Sequence, residues 1–342
     1  MPKEKETETR VGLSYDLKEA ISLNHHSPED TLEEYDSVET VEIIKASLEI
    51  MGHSVNMLGG GREFLANILV NDVNIVFNIA EGRGNYRSRE AQVPAILEML
   101  DIPYSGSDPQ CLAVSLDKSL TKKLVAQAGV ITPAWRTVSN NLELAKLDWG
   151  NFPFPAIVKP ACEGSSKGVR LTSLVDNPVQ AKAAVDQILT DYSQPAIVEE
   201  FINGDEVTVG MVGNYPPRIV GVMRVIPRQK QKFFLYSLEV KRDWQKLVDY
   251  ECPAKFSEDT TTQIMASSLK TFEILGCRDF ARIDFRVAAD GTPYFIEINP
   301  LPGLGTYSDL VIMALKLGWT HQALIQAVFN AALERYPSCQ CA

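Results

Sequence analysis

The stretch ARIDFRVAADGTPYFIEINPLPGLG, from Ala281 to Gly305, concentrates oxygen-bearing and cationic side chains. Read as strand, turn, strand, it alternates. Ala281, Ile283, Phe285 and Val287 face one way, and Arg282, Asp284 and Arg286 the other. On the second strand Tyr294, Ile296 and Ile298 alternate with Phe295, Glu297 and Asn299. Asp290-Gly291 is a two-residue hairpin signal. With those two residues as the turn, Asp284 opposes Glu297 and Arg282 opposes Asn299. Like charges directly opposite destabilise a sheet. A bound Mg²⁺ (or Mn²⁺) reverses that sign, because it takes hard oxygen ligands and leaves positions for phosphate oxygens. Asp284, Glu297 and Asn299 are therefore candidate metal ligands, and NPLPGLG forms a rigid loop beyond them.

A second group is VKPACEGSSKGV, residues 158–169. Lys159 ends an apolar strand, and Gly164-Ser165-Ser166-Lys167-Gly168 follows. Glycines let backbone approach a phosphate, and hydroxyls and amides donate to it. The spacing is neither that of a Walker A loop nor GxGxxG. A third is AIVEEFINGDE, residues 196–206: an apolar strand delivers Glu199 and Glu200, then Phe201, Ile202 and Glu206. A nucleobase needs a flat apolar slot, and a ribose diol suits a carboxylate. Lys118, in SLDKSLTKKL, is a fourth candidate; Lys122 and Lys123 read as the exposed face of its helix.

These groups need elements to hold them. RVGLSY, HSVNML and VNIVFNIA read as strands. Val41, Ile44, Leu48 and Met51 form a helical stripe stopped by Gly52. AQVPAILEML reads as a helix, and IPYSGSDP as a turn-rich boundary closing an α/β unit over 1–107. A unit over 108–200 has a helix from Asp117 to about Ala128, strands PAIVKPA, VRLTSL and PAIVEEFI, and a helix around 178–190. A unit over 201–342 has antiparallel strands DEVTVGMVG, RIVGVMRVI, DFARIDFRV and PYFIEINP. It adds a helix at about 259–275 and a closing helix from Ser308 to the C-terminus.

At 342 residues, two or three domains are expected. The net charge of −11 argues against nonspecific nucleic-acid binding. No apolar run reaches the ~20 residues of a membrane span, and MPKEKETETR reads as a tail, not a secretory signal. Six scattered cysteines without CxxC and four histidines without ligand spacing fit a reduced, cytoplasmic protein without zinc. SCQC reads as a frayed end.

The ordered set LDKSLTK, VKPACEGSSKGV, VEEFINGDEVTV, ARIDFRV and FIEINPLPG resembles the ATP-grasp superfamily, and within it the D-alanine–D-alanine ligases. FNIAEG, IPYSGSD and GCRDFARIDF extend the likeness, which covers about residues 73–315. The resemblance implies a three-part ATP-grasp fold using ATP and Mg²⁺ on small amino-acid substrates, and a homodimer. Lys118 and Lys159 would bind the ATP phosphates, under a lid of Glu163, Gly164, Ser165, Ser166 and Gly168. Glu199, Glu200, Phe201, Ile202 and Ile296 would line the adenine slot, with Glu206 on the ribose. Arg282 would face the reacting carboxylate, with Ser165 beside the reaction. Gly303 and Ser308 would sit at the second amino acid's carboxylate.

Departures from that family fall on the substrate side. The glutamate that holds the first amino group has only Asp16 or Glu19 as a counterpart, in GLSYDLKEAIS. Glu81 stands where the family has histidine, and Arg242 aligns with a loop tyrosine, beside Lys241. An arginine there would suit a substrate with an extra carboxylate. The insertion LNHHSPEDTLEEYDS lengthens the first strand-to-helix connection. The expected reaction is carboxylate–amine ligation through an acyl phosphate, with closure of 164–168 and of the 228–250 loop excluding water. The alternatives are the same chemistry on another amino-acid or peptide-like pair, and a noncatalytic nucleotide-binding protein.

Overall fold

A computed structural model describes residues 9–23 and 27–340. Residues 1–8 of the N-terminal tail, His25, His26 and Cys341 lie outside the described residues, and the last residue of the tail, Arg10, already belongs to a strand. Strands β1 (Arg10–Ser14), β2 (Ser54–Gly59) and β3 (Ile75–Asn78) form a parallel sheet in the order β2-β1-β3. Every residue of β3 is buried, because the two faces of the sheet are both covered. Ile75 and Phe77 pack with Val41, Ile44 and Leu48 of the helix Val38–Ile50. Val76 packs on the other side with the helices Gly61–Ile68 and Gln92–Met99. Ser37 caps the first of these helices, its Oγ accepting from Thr40 N at 3.2 Å, and Gly52 follows the end at φ +89°. The helix Gly61–Ile68 is not expected from sequence, since it starts on the poor helix formers Gly60 and Gly61.

Strands β4 (Trp135–Val138), β5 (Ala156–Pro160), β6 (Leu174–Val175) and β7 (Ala196–Glu200) make an antiparallel sheet, β4-β7-β5-β6. Leu144, Ala181, Val185 and Ile188 of two helices, Asn141–Lys146 and Pro178–Asp191, cover it. VRLTSL is not the strand its alternation suggests. Leu171–Ser173 is a 3₁₀ turn and only Leu174-Val175 pairs. Ser173 Oγ accepts from Arg170 N and donates to Gly168 O, a local bond set that competes with the ladder.

The third sheet is antiparallel, β10-β9-β8-β11-β12: β8 (Gly204–Val212), β9 (Arg218–Pro227), β10 (Val248–Glu251), β11 (Phe280–Ala288) and β12 (Pro293–Asn299). Gly210 of β8 pairs with Gly221 of β9, and their bare backbone admits a helix, Asp309–Lys316, at close range. A Cβ on Gly210 would lie 2.5 Å from Leu310 Cδ1, and one on Gly221 2.6 Å from Leu317 Cδ1. This packing carries Ser308 and Asp309, at the helix start, to the site below.

The closing helix is two helices, not one: Gly318, at φ +83°, ends the first, and Thr320 caps a second, His321–Arg335, by accepting from Ala323 N. IPYSGSDP runs into an unforeseen helix, Pro109–Leu116, capped by Asp108 with proline in its first turn. The 228–250 stretch likewise contains two short helices, Leu238–Arg242 and Trp244–Leu247.

Candidate active site

The hairpin between β11 and β12 turns on three residues rather than two. Ala288 N donates to Thr292 O, Gly291 N donates to Ala288 O, and Gly291 takes φ +89°. Pairing from there runs Val287 with Pro293, Arg286 with Tyr294, and Phe285 with Phe295. The register then shifts, leaving Ile296 as an extra residue. Beyond it Asp284 faces Glu297 and Arg282 faces Asn299, the expected pairs. Two one-residue irregularities cancel. The bulge also corrects the simple alternation of β12. Phe295 and Ile298 are core, while Ile296 and Glu297 both line the cleft.

Cations surround the two carboxylates. Lys118 Nζ lies 3.2 Å from Glu297 and also donates to the Glu163 carbonyl. Arg282 is 2.9 Å from Asp284 and 3.6 Å from Asp309. Thr208 Oγ1 donates to Asp284 at 2.6 Å. Burial works to raise the Glu297 carboxyl, and Lys118, Lys159, Lys241 and Arg282 outweigh it, holding the group well below the usual carboxylate range. Burial likewise opposes charge on Arg282, and Asp284 and Asp309 overcome it.

One cleft is lined by Lys118, Lys159, Glu163, Ser166, Glu199 and Glu200, together with Phe201, Glu206 and Ile296. Ile157, Val169 and Leu235 complete its apolar wall. Ile202 does not line it; the side chain is buried and its carbonyl accepts from Arg286. Arg286 is a missed site residue. It pairs with Glu206 at 2.6 Å and lies over the Phe201 ring at 4.4 Å. Its place on the polar face of β11 with Arg282 and Asp284 was the available signal.

Lys122 is not exposed, as expected, but wholly buried, 3.0 Å from Glu199, which also has Lys159 at 3.6 Å. Burial pushes Lys122 down to about 8. Its spacing of four from Lys118 on one helix puts both on one face, and only Lys123 points to solvent.

The loop 163–168 divides its tip between two cavities. Ser165 and Ser166, both at positive φ (49° and 59°), point to opposite sides. Ser166 lines the first cleft, whereas Ser165 lines a second cavity of about 330 Å³, within the ~300–1,000 Å³ range of small-molecule sites. Gly164 lines neither cavity and accepts from Lys167 N through its carbonyl. The Gly168 amide is taken by Asp30, so it does not point at a phosphate.

The second cavity gathers Glu81, Arg242, Arg282, Asn299, Gly303 and Ser308. Tyr236 and Asp309, unforeseen, join them, with Tyr236 Oη donating to Asp309 at 3.1 Å. Asp16 does not reach this cavity. It is buried against Arg83 at 2.8 Å and accepts from Gly82 N. Glu19 is exposed. Arg242 is at the cavity, but Glu33 at 2.6 Å and Glu29 at 3.5 Å neutralise it, which removes the argument for an extra substrate carboxylate. Glu81 is half-buried there; burial first, then Glu90 and Glu34, push its carboxyl well above its ordinary value.

Asp284 and Glu297 share a narrow cavity with Ser166, Lys241 and Glu206, while Asn299 lines the second cavity. Asn299 Oδ1 accepts from Leu301 N and keeps a second lone pair. Among the described residues, no three His, Cys, Asp or Glu side chains gather into a metal nest. Two carboxylates and one amide oxygen still fit a hard ion such as Mg²⁺ that completes its shell with phosphate oxygens.

A family model described as "D-ala D-ala ligase C-terminus" matches residues 124–330. The D-alanine–D-alanine ligase of Aquifex aeolicus is 32% identical over 86% of this chain and 94% of its own length. An uncharacterised protein of Sinorhizobium fredii is 33% identical over 86% of this chain and 87% of its own length. Among solved structures, D-alanine–D-alanine ligase from Bacillus anthracis complexed with ATP superposes with TM-score 0.72 at 21% identity, covering 96% of this chain and 99% of that one. The D-Ala:D-Ser ligase VanG of Enterococcus faecalis gives 0.72 at 19%, covering 95% and 100%.

The fold is ATP-grasp, and the protein is an ATP-dependent ligase. It belongs to the D-alanine–D-alanine ligase family.

Proposed function

We propose that the protein joins the carboxylate of one D-alanine to the amine of a second, converting ATP to ADP and phosphate. The observation that carries this reading is the division of the 163–168 loop tip between the two cavities, with Arg282, Asp284 and Glu297 where they meet. ATP occupies the first cleft, its adenine between Phe201, Leu235 and Ile296 and its ribose on Glu206. Lys118 and Lys159 offset phosphate charge. Asp284, Glu297 and Asn299 hold Mg²⁺, which when bound supplies charge stabilisation to the transferring phosphoryl group.

In the second cavity Glu81 receives the donor's ammonium, and Gly303 and Ser308 receive the acceptor's carboxylate. A donor carboxylate oxygen attacks the γ-phosphorus and ADP leaves. The acceptor amine then attacks the acyl carbon, gives up a proton, and phosphate leaves as the amide forms. Arg282 stabilises the oxyanion. Ser165 and Ser166 cover the reacting atoms and keep water from the acyl phosphate.

Five cysteines are free among the described residues, and no helix among them is long and apolar enough to cross a membrane. The free thiols support a cytoplasmic protein; the family resemblance supports a homodimer.

Glu81, on the second cavity where the family has histidine, favours a second reading, the same chemistry on another amino-acid pair. A screen of amino-acid pairs with ATP and Mg²⁺, read as ADP release and amide product, tests both. D-alanyl-D-alanine formation supports the first. Product only from another pair overturns the D-alanine assignment and keeps the reaction class.

A further inference from the structure

The connection from β1 to the helix Val38–Ile50 carries carboxylates that turn to the lid loop rather than to a substrate. Asp30 is fully buried; it accepts from Gly168 N at 2.8 Å and from the Tyr192 hydroxyl at 2.8 and 3.0 Å. Glu34 is buried between Lys167, at 2.9 Å, and Arg89, at 2.5 Å. Glu163, at the root of the loop, closes the ring with the same two cations, at 2.8 Å from Lys167 and 2.9 Å from Arg89. Nearer the surface, Glu29 pairs with Arg170 at 2.7 Å and Glu33 with Arg242 at 2.6 Å.

One segment thus grips the lid loop on one side and the helix Leu238–Arg242 on the other. Buried carboxylates and cations that lose their partners are strongly unfavourable, so lifting the loop away from Asp30 and Glu34 is opposed. The grip falls on the loop's base. Lys167 and Gly168 are held, and the tip, Ser165 and Ser166, stays turned to the two cavities. Gly168 fits only as glycine, since a Cβ there would lie 2.4 Å from Pro160.

We propose that residues 27–37 are a clasp whose own contacts, rather than a ligand's, hold the lid closed over the cleft. Asp30 and Glu34 are positioning residues that act through the loop. The consequence for catalysis rests on the ligase reading: a lid held at its base keeps water from the acyl phosphate. The closed lid itself does not depend on that reading.

Hydrogen exchange by mass spectrometry on the full chain without ligand tests the clasp. In Asp30→Asn, peptides covering 163–170 exchange at least about tenfold faster than in the wild type, while peptides of β8 and β11 keep wild-type rates. Unchanged exchange over 163–170 overturns the clasp. Tyr192→Phe removes one hydroxyl and keeps the ring, so it serves if Asp30→Asn fails to fold; it too must speed exchange there. A second readout is the ratio of phosphate to amide product. It rises above one to one in Asp30→Asn, and a ratio held at one to one overturns the water-exclusion role. If the wild type makes no amide at all, the ligase reading fails while the exchange result still decides the clasp.

Discussion

Glu297 lies directly across the sheet from Asp284 although the turn joining their strands is a residue longer than a two-residue hairpin, because Ile296 bulges out and restores the pairing. Deleting Ile296 should leave Glu297 opposite Asp284 and on the cleft face, since regular alternation from the core residue Phe295 then reaches Glu297 directly. ATP binding measured by calorimetry is expected to persist in that deletion, weakened by loss of the Ile296 side chain from the cleft, and complete loss would contradict the bulge. Ile296→Ala, which keeps the bulge, should weaken binding by less than about tenfold. Glu297→Gln should lower turnover at least ~100-fold, as loss of a group at a developing charge does. Retained turnover in Glu297→Gln would remove it from the metal site.

Lys122 and Glu199 are both buried and lie 3.0 Å apart. Lys122→Met strands the Glu199 carboxylate with only Lys159 nearby, and should cost about 3 kcal/mol in urea unfolding. Adding Glu199→Gln should recover more than half of that loss. A double-mutant cycle without coupling contradicts the pairing.

Gly210→Ala places a methyl against Leu310, so the helix Asp309–Lys316 must shift away from β8. The expected cost is about 1–3 kcal/mol, typical of overpacking. Because that helix starts at Asp309, the Michaelis constant for the acceptor should rise more than that for ATP. Equal changes in both would separate the helix position from the acceptor site.

Asp36, on the wall of the second cavity, is pushed up to about 7 by burial and by Asp16, against Lys18. From pH 3.8 to about 7 the folded chain keeps a proton that the unfolded chain has released. Stability therefore falls as pH rises through that window, by at most ~1.4 kcal/mol per pH unit from this group. Asp36→Asn should flatten the urea-unfolding stability curve there, and an unchanged slope contradicts the assignment.

Much of this was legible because local chemistry fixed it. Asp108, Asp117 and Ser37 cap helices where side-chain oxygens meet backbone amides, although the first of those helices went unread. The pairing of Asp284 with Glu297 was readable from alternation and a turn signal, yet the turn was wrong and the bulge unseen. Nothing in the residue types says that Ile296 is left unpaired. Lys122 shows the other limit: a lysine in a charged helix reads as solvated until Glu199, far along the chain, is brought beneath it. The grip of Asp30 and Glu34 on Gly168 and Lys167 joins residues more than 130 positions apart, which no local pattern encodes. Tyr236 and Asp309 escaped notice for the same reason.

A substrate carboxylate that takes the γ-phosphoryl group and then yields to an amine leaves one of its oxygens on the phosphate. D-Alanine labelled with ¹⁸O in its carboxylate, incubated with the protein, ATP and Mg²⁺, tests it directly by mass analysis of the phosphate released. One ¹⁸O should reach phosphate for each dipeptide formed. Dipeptide formed with unlabelled phosphate would contradict it.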